Sequence, residues 1–228
     1  MLAASIAHAD SAATVSGLSD SDFRGVSQTA DDPALQGSSD FDGETGLYAG
    51  IWASNVDFDD CCGEDYEVDY YVGWTAGDAV EWDFGAIYYA YPGANDLNYP
   101  EIYGGATYYG GEDTWDLGAK LWASWDWFGY DAYGYYSEIN GNYALPWWEI
   151  GVTAHVGYTF GDGPDEFTFD SGLREYVDWW LGINRSFGPL DLELRYVDTD
   201  LGEGLEVSGD AGTNDDRFIF SVSTTFPW

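Results

Sequence analysis

The chain has 228 residues and a formal net charge of -36, from 42 Asp and Glu against 6 Lys and Arg. That balance excludes nucleic acid as a partner, because phosphate binding needs basic patches. It likewise excludes electrostatic attraction to anionic lipid, while permitting a strong field that attracts cations. Aromatic residues reach 19%, with Trp 12 and Tyr 19 in a background of Gly 30. Such a mixture suits strands with one apolar and one wet face. No apolar run approaches the roughly 18 residues of a transmembrane helix, but alternating barrel strands leave only a faint hydropathy signal.

At the N-terminus, Ala7-His8-Ala9 before Asp10 is an A-x-A cleavage pattern behind the short apolar piece Leu2 to Ile6. Residues 1–9 therefore read as the remnant of a secretory signal, and 10–228 as one domain. Weaker strand patterns cover 12–23, 34–43 and 47–57. Clear period-two alternation follows in Tyr66, Val68, Tyr70, Val72, Trp74 and in Val80, Trp82, Phe84, Ala86, Tyr88. Further weak segments cover 101–110, 115–127 and 131–144. The alternation returns in Trp148, Ile150, Val152, Ala154, Val156, Tyr158, Phe160, then in Val177, Trp179, Leu181, Ile183, and in Leu190, Leu192, Leu194, Tyr196. The last segment is Phe218, Phe220, Val222, Thr224, Phe226, Trp228. A sustained period of two marks half-buried strands. In these clear segments every Asp and Glu takes the polar parity. The apolar parity carries Trp and Tyr near the ends and aliphatic residues at the centres, as a bilayer-facing wall requires.

The connections alternate as well. Short turns are expected at 43–46, 76–78, 110–113, 146–147 and 187–189, and longer polar links at 24–33, 58–65, 91–98, 161–175 and 198–215. Only the link near Phe128 to Tyr130 is shorter than this scheme wants. About twelve strands result, in the even-numbered range of bacterial barrels with short periplasmic turns and longer outer loops. The expected fold is all-β: a transmembrane antiparallel up-and-down barrel with both termini periplasmic. On that map Phe218, Phe220, Val222, Phe226 and Trp228 form a membrane-facing terminal strand.

Phe23-Arg24-Gly25-Val26-Ser27-Gln28-Thr29, Asp32-Pro33-Ala34-Leu35-Gln36-Gly37 and the block from Gly46 to Phe58 resemble the N-terminal signature of the TorF family of porins. Glu67 to Gly73, Ala144-Leu145-Pro146, Val156-Gly157-Tyr158 and Tyr196 to Asp200 resemble it further, across nearly the whole mature chain. The resemblance implies an outer-membrane protein of a Gram-negative bacterium that forms a channel, and it carries no catalytic motif. The extreme acidity and scarcity of Lys depart from that family's pattern.

Turning the polar parity inward yields a map of candidate pore-lining residues. Glu81, Asp83, Asp116, Glu149, Asp191 and Glu193 gather at the periplasmic mouth, and Glu67, Asp69, Glu101 and Asp178 near the outer mouth. Lys120, His155 and Arg195 lie deeper. Carboxylate rings favour cations. Twelve strands fall between the filled eight-stranded barrel and the open channel of 16–18, which predicts a narrow bore. Lumen cations pairing with the carboxylates would instead close it.

Other chemistry is poorly supported. The neighbouring Cys61 and Cys62 cannot staple distant segments, and no further Cys or nearby His completes a metal site, so they read as loop residues. The acidic loops 58–65 and 198–215 lack an ordered calcium-loop pattern and read as solvated. His8 falls in the presumed signal. His155 has only threonines as polar neighbours on its strand, which is no catalytic triad.

The expectation is a porin-like channel for passive diffusion of small solutes or ions, preferring cations, with no enzymatic activity, cofactor or metal. Its partners would be outer-membrane lipid and lipopolysaccharide, the outer-membrane assembly machinery, and the solutes or cations themselves. A non-conducting structural or surface-interaction barrel stays open as an alternative, as does a secreted β protein that stacks on sugars.

Overall fold

The structure, a computed structural model, describes residues 10–58, 65–112, 114–129, 131–161, 175–201 and 214–227. Residues 1–9, expected to be a signal remnant, and Cys61, Cys62 and Trp228 lie outside the described residues.

Alternating sequence becomes strand throughout. The elements are β1 (Asp10–Leu18), β2 (Asp22–Phe23), β3 (Val26–Ser27), β4 (Ala34–Asp42), β5 (Leu47–Asn55), β6 (Tyr66–Gly77) and β7 (Val80–Ala90). They continue as β8 (Tyr99–Gly110), β9 (Trp115–Ser124), β10 (Gly134–Ala144), β11 (Ile150–Gly161), β12 (Tyr176–Phe187), β13 (Leu190–Thr199) and β14 (Arg217–Pro227). Twelve of them close into an antiparallel barrel in the order β1-β14-β13-β12-β11-β10-β9-β8-β7-β6-β5-β4. β2 and β3 form a separate two-stranded hairpin. The barrel is sealed by β1 against β14, in the register Ala12↔Pro227 to Leu18↔Ser221. Closure satisfies the backbone polar groups that an open edge would leave unpaired in lipid.

Register fixes which side chains face out. Val72, Ala86, Ile102 and Ala123 lie on one outward row across β6 to β9. Ile102, Leu121, Ile139, Val156, Leu181 and Ile183 are exposed on the outside at mid-height. Trp74, Trp82, Trp115, Tyr108 and Phe226 are exposed towards the short-turn end, and Tyr66, Tyr88, Trp179 and Phe218 towards the other. An aliphatic band between two aromatic belts is a bilayer-facing exterior. Phe218, Phe220 and Val222 share the outward parity on β14, and so does Phe226, opposite Ala13. Asp198 departs from the charge rule. It stands opposite the outward Trp179, one residue from the long-loop end of β13.

The connections 43–46, 78–79, 111–114, 145–149 and 188–189 lie at one end, which also holds Asp10 and Pro227. The longer ones lie at the other end. The link expected to be too short spans 125–133, because β9 stops at Ser124 and β10 starts only at Gly134. Trp127 there is buried, and Phe128 turns the chain at φ 51, which a continuing strand does not allow. The pattern expected over 12–23 also divides. β1 ends at Leu18, and Asp22-Phe23 belong to the inner hairpin.

Candidate functional site

The lumen wall is built from the inward parity, with different chemistry at its two ends. Towards the short turns it is polar and open. A cavity of about 340 Å³ is bordered there by Glu81, Asp83, Asp116, Lys120, Glu138 and Asn142, among others. Lys120 Nζ donates to Asp83 Oδ2 at 2.7 Å and lies over the Tyr103 ring at 4.6 Å. Tyr48 donates to the other Asp83 oxygen at 2.7 Å and contacts the Tyr103 hydroxyl. The Tyr48 ring lies flat over Gly73 opposite it, where a Cβ would come within 2.3 Å. Asn142 donates to Asp116 at 2.8 Å, and Tyr109 to Glu81 at 3.2 Å. Asp191 accepts from Ser186 at 2.5 Å, and Glu193 lies 3.5 Å from Arg195.

Mid-height belongs to His155. Its Nδ1 is 2.6 Å from Asn140 Oδ1 and its Nε2 is 2.9 Å from Asp178 Oδ1. Tyr136 donates to that Asp178 oxygen at 3.0 Å. Trp180 stacks on the imidazole at 5.5 Å, and Arg195 sits over Trp180 at 5.3 Å.

At the long-loop end the chain between β1 and β4 turns into the barrel. Phe23 pairs with Val26, leaving Arg24-Gly25 as a two-residue turn with φ 52 and 84. Two positive φ values suit a tight hairpin, for which Asn-Gly is the usual solution. Here the first position is an arginine, and its guanidinium donates to Glu101 Oε2 at 2.7 Å. The exposures of the two side chains are 6% and 0%. It also lies 4.3 Å from the Tyr136 ring and 4.6 Å from Phe23. Burial is the largest single influence and opposes the Arg24 charge, but Glu101 together with Tyr89 and Tyr99 holds the guanidinium pKa above its ordinary value. Gly25 touches the far wall, where a Cβ would meet Thr199 Cγ2 at 2.3 Å and Asp178 Cβ at 2.8 Å. The base of the loop is held by Arg217, which donates to Asp20 at 2.5 Å and to Asp22 at 2.6 Å. Ser27 and Thr29 also donate to Asp20, at 2.5 and 3.0 Å.

An aromatic core completes this plug. Tyr89, Tyr91, Tyr99 and Trp127 are buried, with Phe23, Phe58 and Phe128 packed against them. Tyr89 stacks on Tyr99 at 4.5 Å, and Phe128 packs on Tyr99 at 4.6 Å. Burial pushes the Tyr91 hydroxyl well above its ordinary pKa, so it remains the donor to Glu67 at 2.8 Å.

The expected site residues fall into three groups. Glu81, Asp83, Asp116, Asp191 and Glu193 take inward positions in the short-turn half, with Lys120, His155 and Arg195 further up the wall. Glu67, Asp69, Glu101 and Asp178 sit in the long-loop third, but not as a wetted ring. Their exposures are 6%, 7%, 0% and 1%, because the hairpin and the aromatic core cover them. Glu149 is set apart from the lumen wall. It lies in the 145–149 turn at φ 52, with its carboxylate exposed 3.8 Å from Arg185. Asp20, Asp22, Arg24, Arg217 and the inward tyrosines were not among the expected site residues. The one local signal for the plug is Gly25 at a two-residue turn between Phe23 and Val26.

A closed twelve-stranded barrel, belted in aromatics, polar within and plugged by its first long loop, defines a porin-like outer-membrane protein. The chain belongs to the Gcw_chp family, described as a bacterial protein of unknown function, whose model matches residues 3–226. No curated protein matches it. The solved NanC porin superposes with a TM-score of 0.62 at 9% identity, covering 94% of this chain and 98% of that one. The KdgM porin does so with 0.57 at 8%, covering 94% and 99%. The COG4313 outer membrane channel from Pseudomonas putida F1 gives 0.51 at 12%, covering 98% and 97%. Architecture and exterior together are those of a Gram-negative outer-membrane barrel, and these neighbours are channels rather than enzymes.

Proposed function

We propose that this chain is a narrow outer-membrane channel for small solutes or ions, with its short turns and both termini on the periplasmic side. Its preference is for cations. The observation carrying this reading is the 340 Å³ cavity, where Glu81, Asp83, Asp116 and Glu138 face a single ammonium, Lys120. Low-dielectric walls focus the field of such a group and concentrate counter-ions. KdgM is known in complex with oligogalacturonate, a polyanion. A cavity of this composition is suited to the opposite charge, so the shared fold does not transfer that substrate. The likeness of the segments between Phe23 and Phe58 to TorF-family porins agrees with a channel, and such a barrel would be inserted beside lipopolysaccharide by the outer-membrane assembly machinery.

Planar-bilayer recording under a salt gradient tests the reading. Discrete conductance steps with a reversal potential of cationic sign are expected. Anion selectivity overturns the preference, and the absence of steps from the wild type and from plug-weakened variants overturns the channel. One observation favours a non-conducting barrel: Tyr99 and Glu101 are both 0% exposed beneath the hairpin. That reading gains if the barrel stays silent when the hairpin is released.

A further inference from the structure

We propose that the barrel wall contains a binding site for an organic cation of the guanidinium class, and that Arg24 occupies it as an internal stand-in. Three observations carry this. First, Arg24 stands at φ 52, in a turn position where Asn or Gly would be relaxed. A residue kept in a sparsely populated conformation points to a demand on its side chain. Second, apart from the Phe23 ring of its own hairpin, what the guanidinium meets belongs to the wall. Glu101 on β8 accepts its hydrogen bond, Tyr136 on β10 offers a ring face at 4.3 Å, and Trp122 on β9 lies 6.0 Å away. A carboxylate beside aromatic faces is the standard receptor for a planar cation, combining charge, hydrogen bonding and cation–π attraction. Third, Glu101 Oε1 is fully buried without a hydrogen-bond partner among the described residues. The carboxylate is therefore only half used by Arg24, although a guanidinium can bind both oxygens at once.

The site also has space beside it. A cavity of about 270 Å³ runs along Arg24, Trp122 and Tyr136, with three carboxylates, Asp22, Glu138 and Asp178, and the guanidinium of Arg195 also facing it. A small alkylguanidinium entering there competes with Arg24 for Glu101. Binding shifts the hairpin outward only as far as the solute prefers the barrel with Arg24 displaced. The hairpin base, Asp20 and Asp22 on Arg217, stays anchored while the tip moves and gives up the Arg217 contact to the Gly25 carbonyl oxygen. The binding site stands apart from the channel reading, whereas release of the bore rests on it.

The test is chemical rescue. In refolded protein, Arg24→Ala leaves Glu101 buried and uncompensated, so the unfolding midpoint is expected to fall by about 10 °C. Methylguanidinium at millimolar concentration should recover most of that loss, while tetramethylammonium at equal ionic strength recovers none. Rescue should vanish in the double variant Arg24→Ala with Glu101→Gln. Equal rescue by both cations, no rescue, or rescue persisting in the double variant each overturns the site. If Arg24→Ala does not refold, Arg24→Asn, which removes the guanidinium and relaxes the turn, takes its place with the same readings. In bilayers, Arg24→Ala should carry current that methylguanidinium reduces. Conductance without specific rescue sinks this inference and leaves the channel standing. Specific rescue without conductance in any variant does the reverse.

Discussion

Arg217 on the last strand bonds Asp20 in the first long loop, 197 positions away in sequence, at 2.5 Å. The same guanidinium reaches Asp22 at 2.6 Å and the Gly25 carbonyl oxygen at 3.2 Å. One side chain thus organises the base of the plug, and both carboxylates it holds are at most 7% exposed. Buried carboxylates tolerate this only while their cation is present.

Arg217→Met removes that cation and keeps most of the apolar stem. A loss of about 3–5 kcal/mol is expected, because Asp20 and Asp22 are left uncompensated. Denaturant unfolding of the refolded barrel measures the loss. An unchanged midpoint would mean that the plug is not bound through this residue.

Gly25→Val places a β-branched side chain at φ 84 and against Thr199 and Asp178. The hairpin tip cannot seat, at a cost of about 1–3 kcal/mol from the backbone alone. Since the barrel ladder is untouched, the expected result is a folded barrel with larger or more frequent conductance steps than wild type. A silent and fully stable variant contradicts this.

Conversion of Glu81, Asp83, Asp191 and Glu193 together to amides leaves Lys120 without its carboxylate partner. The reversal potential under a salt gradient is expected to move towards zero or to change sign. Retention of the wild-type value would remove the short-turn carboxylates from the account of selectivity.

Tyr136→Phe deletes the hydroxyl that donates to Asp178 at 3.0 Å but keeps the ring against Arg24. Among the described residues Asp178 Oδ2 already lacks a partner, so a cost of about 1–3 kcal/mol is expected. Comparison of unfolding midpoints for the single variant and for Tyr136→Phe with Asp178→Asn checks the coupling. Non-additivity is the expected outcome.

Ile139→Arg probes the exterior. Ile139 is 51% exposed at mid-height on the outward face of β10. A charge at that depth costs about 2–4 kcal/mol in a bilayer. Folding yield in lipid vesicles should fall relative to Ile139→Leu. Equal yields would argue against a membrane-facing wall.

How much of this was readable in advance follows from where the determining partner sits. A strand between lipid and lumen sees two different solvents on its faces. Leu181 and Ile183 against Asp178 therefore declare the wall of β12 within a few residues. Twelve strands and the alternating connections came from that local rule. Two stops were misplaced because Asp20 to Phe23 and Trp125 to Trp127 keep apolar or alternating character while leaving the sheet. The burial of Glu67, Asp69, Glu101 and Asp178 was not legible, since it depends on the aromatic core and on the hairpin, whose Arg24 reaches Glu101 77 positions away. Nor were the inward tyrosines. Tyr48 and Tyr71 face the lumen because register sets them opposite Gly73 and Gly50, and only pairing reveals that. Glu149 misled because a turn with positive φ ends the parity one residue before β11.

The plug draws its partners from late in the chain: Glu101 on β8, Asp178 on β12 and Arg217 on β14. A hairpin made near the N-terminus therefore has nothing complete to grip until the final strand arrives to zip against β1. The latch cannot be complete before β14 is in place, and a chain cut short before β14 would show both a frayed edge and a swinging latch.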